Sequence, residues 1–242
     1  MPLVVQYPCH PATGAVQSLS VAAIRAVAAQ VRQQVLPVRG ALAIAMPDLI
    51  AAAVEMSVNG RQFSVQWDLT RPLRDQRGQS VFGICDVDPG EPGWAYVSID
   101  GPAMAHRPDL ALSTAAHELG HLVFDVPAEL GGGLRHYRAI ARSPAALDGA
   151  GREAEARANE FMGALLAPPV ALHTRLLALA RGEGLRLARG PHVGRPASPI
   201  VAAGNPSDLV AGVVAALALE FGVTDRFIAV RIARYGLIQE NV

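Results

Sequence analysis

Apolar side chains recur at helical spacing across Ser18–Gln34, where Val21, Ile24, Val27, Ala28 and Val31 share one face while Arg25, Gln30 and Arg32 fall on others. This pattern predicts a helix that stops near Pro37, and a second over Pro47–Val54 with Pro47 in its first turn. The period then changes from helical to two. Gln62–Trp67 alternates polar and apolar residues directly after the turn signal Asn59-Gly60, and Val81–Val87 and Trp94–Ile99 read as further strands separated by a turn-rich Pro/Gly stretch. Helical spacing returns over Leu110–Phe124, with Asp109 as the predicted N-cap and Pro127 as the stop. Further helices are predicted over Gly151–Leu166, ended by Pro168-Pro169, and over Val170–Ala180, Ser207–Phe221 and Asp225–Tyr235. Residues 1–18 carry no clear period, and 181–206 are rich in Gly, Pro and Arg.

These elements predict an α+β fold: a small, mostly antiparallel sheet beside the 110–124 helix, further helices behind it and a helical C-terminal part. The predicted organisation is a loose lead-in over 1–18, a main domain over 19–180, a loop or linker over 181–206 and a C-terminal helical segment over 207–242.

Composition narrows the function classes. Of 242 residues, 51% are hydrophobic and 17% charged, which is enough apolar material for a real core. The formal net charge is zero, so the basic footprint of a typical nucleic-acid binder is absent. Two cysteines, Cys9 and Cys85, make no disulfide framework and no C-x-x-C pair. The N-terminal stretch lacks the basic and apolar regions of a secretory signal, and the longest apolar run, Leu209–Leu219, is too short to span a bilayer. The expectation is a cytoplasmic protein with no membrane role.

Chemistry concentrates in the 110–124 helix. Its sequence Ala-Ala-His-Glu-Leu-Gly-His contains H-E-x-x-H at His117, Glu118 and His121. Positions i and i+4 share a helix face, so both imidazoles can meet one ion, and two neutral imidazoles suit Zn²⁺. Glu118 borders that face and is the candidate general base toward a metal-activated water, with hydrolysis of a carbonyl compound as the outcome. Leu119, Gly120, Leu122 and Val123 are uncharged, as expected of a helix buried under a cleft. Gly120 costs about 1 kcal/mol of helix propensity, which close approach of another backbone would offset. A catalytic site needs a third protein ligand. The downstream candidates are Asp125, Glu129, His136, Glu153, Glu155 and Glu160. Asp125 lies one turn beyond His121 and suits a partner to a ligand, or a cap. Spacing does not separate Glu153 from Glu155.

Three stretches in order resemble the ImmA/IrrE family of metallopeptidases: the H-E-x-x-H helix itself, the segment Glu155–Pro169 with Asn159, Phe161 and Leu165-Leu166, and the C-terminal Phe221-Gly222-Val223 … Gly236-Leu237-Ile238. The resemblance covers most of the chain from about Ser18. It implies that the Glu four residues before Asn159, Glu155, is the third zinc ligand beside His117 and His121, with Glu118 as the base and one Zn²⁺ per chain. Two positions depart from the family pattern: Arg157, where a second Glu is frequent, and Ala167, where Met is common. The resemblance further implies an endopeptidase that cleaves a helix-turn-helix type transcriptional repressor and so derepresses mobile-element or stress-response genes.

Weaker features carry their own expectations. Trp94–Ile99 could be the sheet edge that holds an extended substrate beside the motif helix, or an ordinary internal strand. Tyr96, His136 and Tyr137 have the donor chemistry for an oxyanion partner, though a packing or surface role is the commoner use of such residues. Ala215–Leu237 has the outline of a helix-turn-helix, with Arg226, Arg231 and Arg234 as phosphate contacts, but Glu220 and Asp225 beside them favour packing or repressor docking over direct DNA binding. The rival to a peptidase is a non-cleaving regulator that binds a repressor or DNA around a structural zinc; such sites normally have four protein ligands and no base.

Overall fold

The computed structural model describes residues 1–36, 38, 40–75, 78–88, 90–132, 149–192 and 195–239. By contact, this chain divides into two compact units, Met1–Arg39 with Ile44–Leu165, and Gly40–Ala43 with Leu166–Val242. The architecture is α+β, as the periodicity predicts.

The first unit is built on a five-stranded sheet. Its strands are β1 (Leu3–Val5), β2 (Glu55–Val58), β3 (Arg61–Asp68), β4 (Gly83–Val87) and β5 (Trp94–Ile99), in the order β1-β2-β3-β5-β4. Strands β2 and β3 form the hairpin signalled by Asn59-Gly60; both turn residues have positive φ, 51° and 83°, as a type I′ turn demands. The sheet is mixed: β2–β3 and β4–β5 pair antiparallel, β1–β2 and β3–β5 parallel. Trp94–Ile99 is therefore internal, flanked by β3 and β4, and the edge next to it is β4.

The loose lead-in predicted for 1–18 contains β1, a strand too short to announce itself by alternation. Distant partners hold it. Helix α1 (Val21–Val35) carries Gln34, whose amide accepts from Val4 N at 2.9 Å and donates to Val4 O at 2.7 Å; one turn earlier, Gln30 does the same for Gln6 at 3.1 and 3.0 Å. Two side-chain amides thus occupy the strand edge that would otherwise be exposed. Ser20 caps α1, its hydroxyl accepting from Ala23 N.

Helix α4 (Pro108–Phe124) lies against the inner face of the sheet, preceded by the short helices α2 (Met46–Ala52) and α3 (Gly101–Met104). Arg107 rather than Asp109 occupies its N-cap, without a side-chain bond; Pro108 opens the helix and Asp109 lies in the first turn, where its charge suits the helix dipole. Pro127 does not simply end the run, because Asp125 bridges α4 to a further turn, α5 (Val126–Leu130). From Ala115 to Phe124 every residue of α4 is buried, so the helix is enclosed rather than amphipathic. Leu119 and Leu122 are wholly inaccessible, each contributing roughly 1.5–3 kcal/mol by burial. The phenol of Tyr7 donates to Val123 O at 2.7 Å, satisfying a carbonyl of the last turn.

Helix α6 (Gly149–Leu166) crosses α4. Ala154, Ala158, Phe161 and Leu165 are buried along one face, and the Phe161 ring meets Phe124 edge-on at 5.7 Å. On its other side Glu160, 1% exposed, pairs with Arg25 of α1 at 2.7 Å, and Arg32 donates to Leu165 O at 2.6 Å.

The second unit comprises α7 (Pro169–Gly182), the hairpin β6 (Leu187–His192) and β7 (Arg195–Val201), α8 (Ser207–Phe221) and α9 (Asp225–Tyr235). The hairpin replaces the loop or linker predicted over 181–206. Gly190, Pro191 and Pro199 break the alternation that would signal strands, yet a two-stranded ribbon leaves every strand with an open edge where a proline costs no ladder bond. Helices α8 and α9 have the predicted bounds, joined through Gly222, with Thr224 capping α9 by accepting from Phe227 N. Arg175 and Glu220 tie α7 to α8 by a two-pronged ion pair at 2.8 and 2.5 Å. Of the arginines considered for phosphate contact, Arg231 is 5% exposed with its guanidinium 5.3 Å from the Phe227 ring centre, so it faces the core; Arg226 and Arg234 are exposed. No single described helix is long and apolar enough to cross a membrane.

Candidate metal centre

Residues His117 and His121 project from adjacent turns of α4, their Nε2 atoms 3.1 Å apart and their ring planes inclined at 68°. From α6, Glu155 meets both: Oε2 is 3.3 Å from His117 Nε2 and Oε1 is 3.4 Å from His121 Nε2. These side chains form a group that could hold a metal ion, with one ligand atom from each lying within 4.8 Å of the others. Glu153, which spacing leaves level with Glu155, is exposed on another face of α6. Glu160 is engaged by Arg25, and His136 lies outside the described residues, as does Tyr137.

What brings Glu155 to the histidines is a close helix crossing. A Cβ on Gly120 would stand 3.0 Å from Ala158 Cα and 3.2 Å from its Cβ, tighter than ordinary van der Waals contact. Gly120 and Ala158 thus let the backbones of α4 and α6 approach. Glu155, one turn before Ala158, then reaches over the face bearing His117 and His121. The unfavourable helix propensity of Gly120 is the local cost of this approach.

The imidazole and carboxylate groups perturb one another strongly. Burial alone would make the His121 imidazole less basic, but hydrogen bonds to Asp125 and Glu155 outweigh it and raise the group to about 10. Burial would likewise raise the Glu155 carboxyl, yet His117 and His121 pull it down to about 2. A second layer stands behind His121: its Nδ1 donates to Asp125 Oδ2 at 2.7 Å, which leaves Nε2 facing the centre. Asp125 also ends α4, its backbone N–H donating to His121 O at 2.8 Å, so it fills both roles that its position one turn beyond His121 suggests.

Glu118 is 1% exposed, and among the described residues neither of its carboxylate oxygens has a hydrogen-bond partner. Burial, foremost, pushes its carboxyl above the usual range. Its carboxylate lies against the backbone of β4 at Gly83. A Cβ there would overlap the nearer oxygen and stand 2.9 Å from both Glu118 Cδ and Thr114 Cγ2. Gly83 is a site residue that motif reasoning passes over; only its place in a strand of otherwise bulky residues hints that something comes close. Gly83→Val is expected to leave metal binding nearly unchanged while displacing the Glu118 side chain, a separation visible by comparing metal content with turnover. Full turnover in this variant would show that the position of Glu118 is unimportant.

Tyr96 does not belong to the centre. Alternation along β5 turns it to the sheet face opposite α4, where its hydroxyl donates to Glu91 in a short contact that raises the phenol to about 12. Cys85, two residues beyond Gly83 on the inner face of β4, is a buried free thiol that burial and then the neighbouring Glu118 push upward. No family profile, no curated protein and no solved structure matches this chain.

Proposed function

We propose that this protein is a zinc-dependent endopeptidase, with His117, His121 and Glu155 holding the metal and Glu118 as general base. The observation that carries this reading is a buried carboxylate with no hydrogen-bond partner among the described residues, placed beside two imidazoles and a second carboxylate that converge on one point. A buried charge with no hydrogen bond is costly, and such groups persist where chemistry uses them. The donor set supports zinc: two imidazoles and one carboxylate suit that ion, and the Nε2 atoms of both histidines and the two Glu155 oxygens face one another at 3.1, 3.3 and 3.4 Å. Three protein ligands leave a position open, as catalytic sites do and closed structural sites do not.

What zinc supplies when bound is Lewis acidity toward water and a peptide carbonyl. The chain supplies the rest. Glu118 takes a proton from the attacking water and delivers it to the departing amine as the C–N bond breaks, so that one water is consumed per bond. Asp125 keeps the His121 ring oriented. Strand β4 lies at the edge of the sheet alongside α4, with no further strand paired to it among the described residues; an extended polypeptide added there would run past Glu118. This assigns to β4 the substrate-edge role considered for Trp94–Ile99. The substrate class, a helix-turn-helix transcriptional repressor, follows from the resemblance of the three motif stretches, and cleavage would then derepress the genes it controls.

The test is incubation of the purified chain with a panel of helix-turn-helix repressors from the same genome, with zinc, after treatment with a chelator, and after zinc is restored. One repressor is expected to be cut at a discrete site, cleavage ceasing on metal removal and returning with about one equivalent of Zn²⁺. A repressor displaced from its operator but left intact would instead identify a non-cleaving regulator.

A further inference from the structure

We propose that Arg157 is a positioning residue of the metal centre, acting on His121 through Asp125. This rests on the reading of His117, His121 and Glu155 as metal ligands. Asp125 is gripped from both sides: Oδ2 accepts from His121 Nδ1 at 2.7 Å, and Oδ1 accepts from Arg157 Nη2 in a short ion pair. The pair is largely shielded, with side-chain exposures of 17% for Arg157 and 13% for Asp125. Among the described residues Asp125 is the acceptor to which the guanidinium donates, while its Cζ lies 5.6 Å from the ring centre of Phe124, next to Asp125 in the chain.

The arrangement gives α6 two tasks from neighbouring positions. Glu155 reaches the histidines directly, and Arg157, two residues on, fixes the carboxylate that orients one of them. A carboxylate bound at one oxygen can rotate about its last bond; bound at both, it cannot. The Nδ1–H of His121 then has one acceptor in one place, and the ring must present Nε2 to the ion. Seen along the chain, Arg157 is one of two arginines, with Arg152, set among Glu153, Glu155 and Glu160, and its use shows only when α6 is laid across the end of α4.

Zinc affinity, measured by competition with a chromophoric chelator, tests this in full-length wild type, Arg157→Ala, Arg157→Lys, Asp125→Ala and the Arg157→Ala/Asp125→Ala double variant. Losing an outer partner of a metal ligand costs roughly 10–100-fold in affinity. Arg157→Ala is expected within that range, and the double variant no weaker than Asp125→Ala alone, because Arg157 works only through that carboxylate. Arg157→Lys, which keeps the charge but not the planar fork, should recover part of the loss even if Arg157→Ala folds poorly. In ¹⁵N spectra of the zinc-loaded protein, the His121 Nδ1–H signal should shift or vanish in Arg157→Ala while the His117 ring signals stay in place. Unchanged affinity in Arg157→Ala, losses that multiply in the double variant, or equal movement of the His117 and His121 signals would each overturn the proposal. Absence of zinc binding by the wild type would bring down the metal-centre reading itself, and this proposal with it.

Discussion

Replacing Glu118 by Gln is expected to leave zinc content unchanged and to lower turnover of any peptide the wild type cleaves by about 10²–10⁴-fold, the usual worth of a positioned general base. The substitution keeps the size of the side chain, so it still fits against the Gly83 backbone. It touches none of the atoms of His117, His121 and Glu155 that face one another at 3.1–3.4 Å. What it removes is the ability to accept a proton. Elemental analysis beside single-turnover cleavage separates the two effects. Equal turnover by the variant would remove Glu118 from the mechanism and leave its burial without a chemical reason.

The second large effect concerns the ligand set. Glu155→Ala is expected to lower zinc affinity by more than the roughly 10–100-fold that outer partners of a ligand are worth, because a coordinating atom is lost. Glu153→Ala should bind as tightly as the wild type, since Glu153 is exposed on a different face of α6. Both variants remove one negative charge from the same helical turn region, so a general electrostatic effect would move them together. Zinc content measured after dialysis decides between these outcomes: loss in Glu153→Ala with retention in Glu155→Ala would transfer the third ligand to Glu153 and dissolve the group drawn here. Helix integrity is not at stake, because alanine is the better helix former at either position.

Beyond those two residues, the legibility of the site followed distance along the chain. His117, Glu118 and His121 are recognisable because one helical turn puts them together, whatever the rest of the protein does. Asp125 was within reach for the same reason. Gly120 stood out as a helix breaker inside an apolar run, and its purpose, contact with Ala158, is the kind a breaker implies. Gly83 and Arg157 were not legible, since nothing near them in sequence touches Glu118 or Asp125. Among the elements, α8 and α9 matched their predicted bounds, and β5 showed the alternation of a strand with one buried face. Strand β1 and the β6–β7 hairpin escaped. The first is three residues long and depends on glutamines some thirty positions away, and the second is interrupted by glycine and prolines that an open-edged ribbon tolerates.

The sequence by itself therefore determined the α+β class, the main helices and the two imidazoles with a carboxylate between them, because side-chain periodicity and i,i+4 geometry are properties of the local backbone. Spacing left Glu153 level with Glu155, and the resemblance pointed to Glu155; the tertiary structure brings Glu155 to the histidines, and it alone decided that Arg157 holds Asp125, that Gly83 makes room for Glu118, and that β4 rather than β5 is the edge beside α4. Each of those is a contact between elements. It depends on how closely two helices cross and in what order strands pair, and these are set by packing of the whole unit rather than by any short stretch of chain.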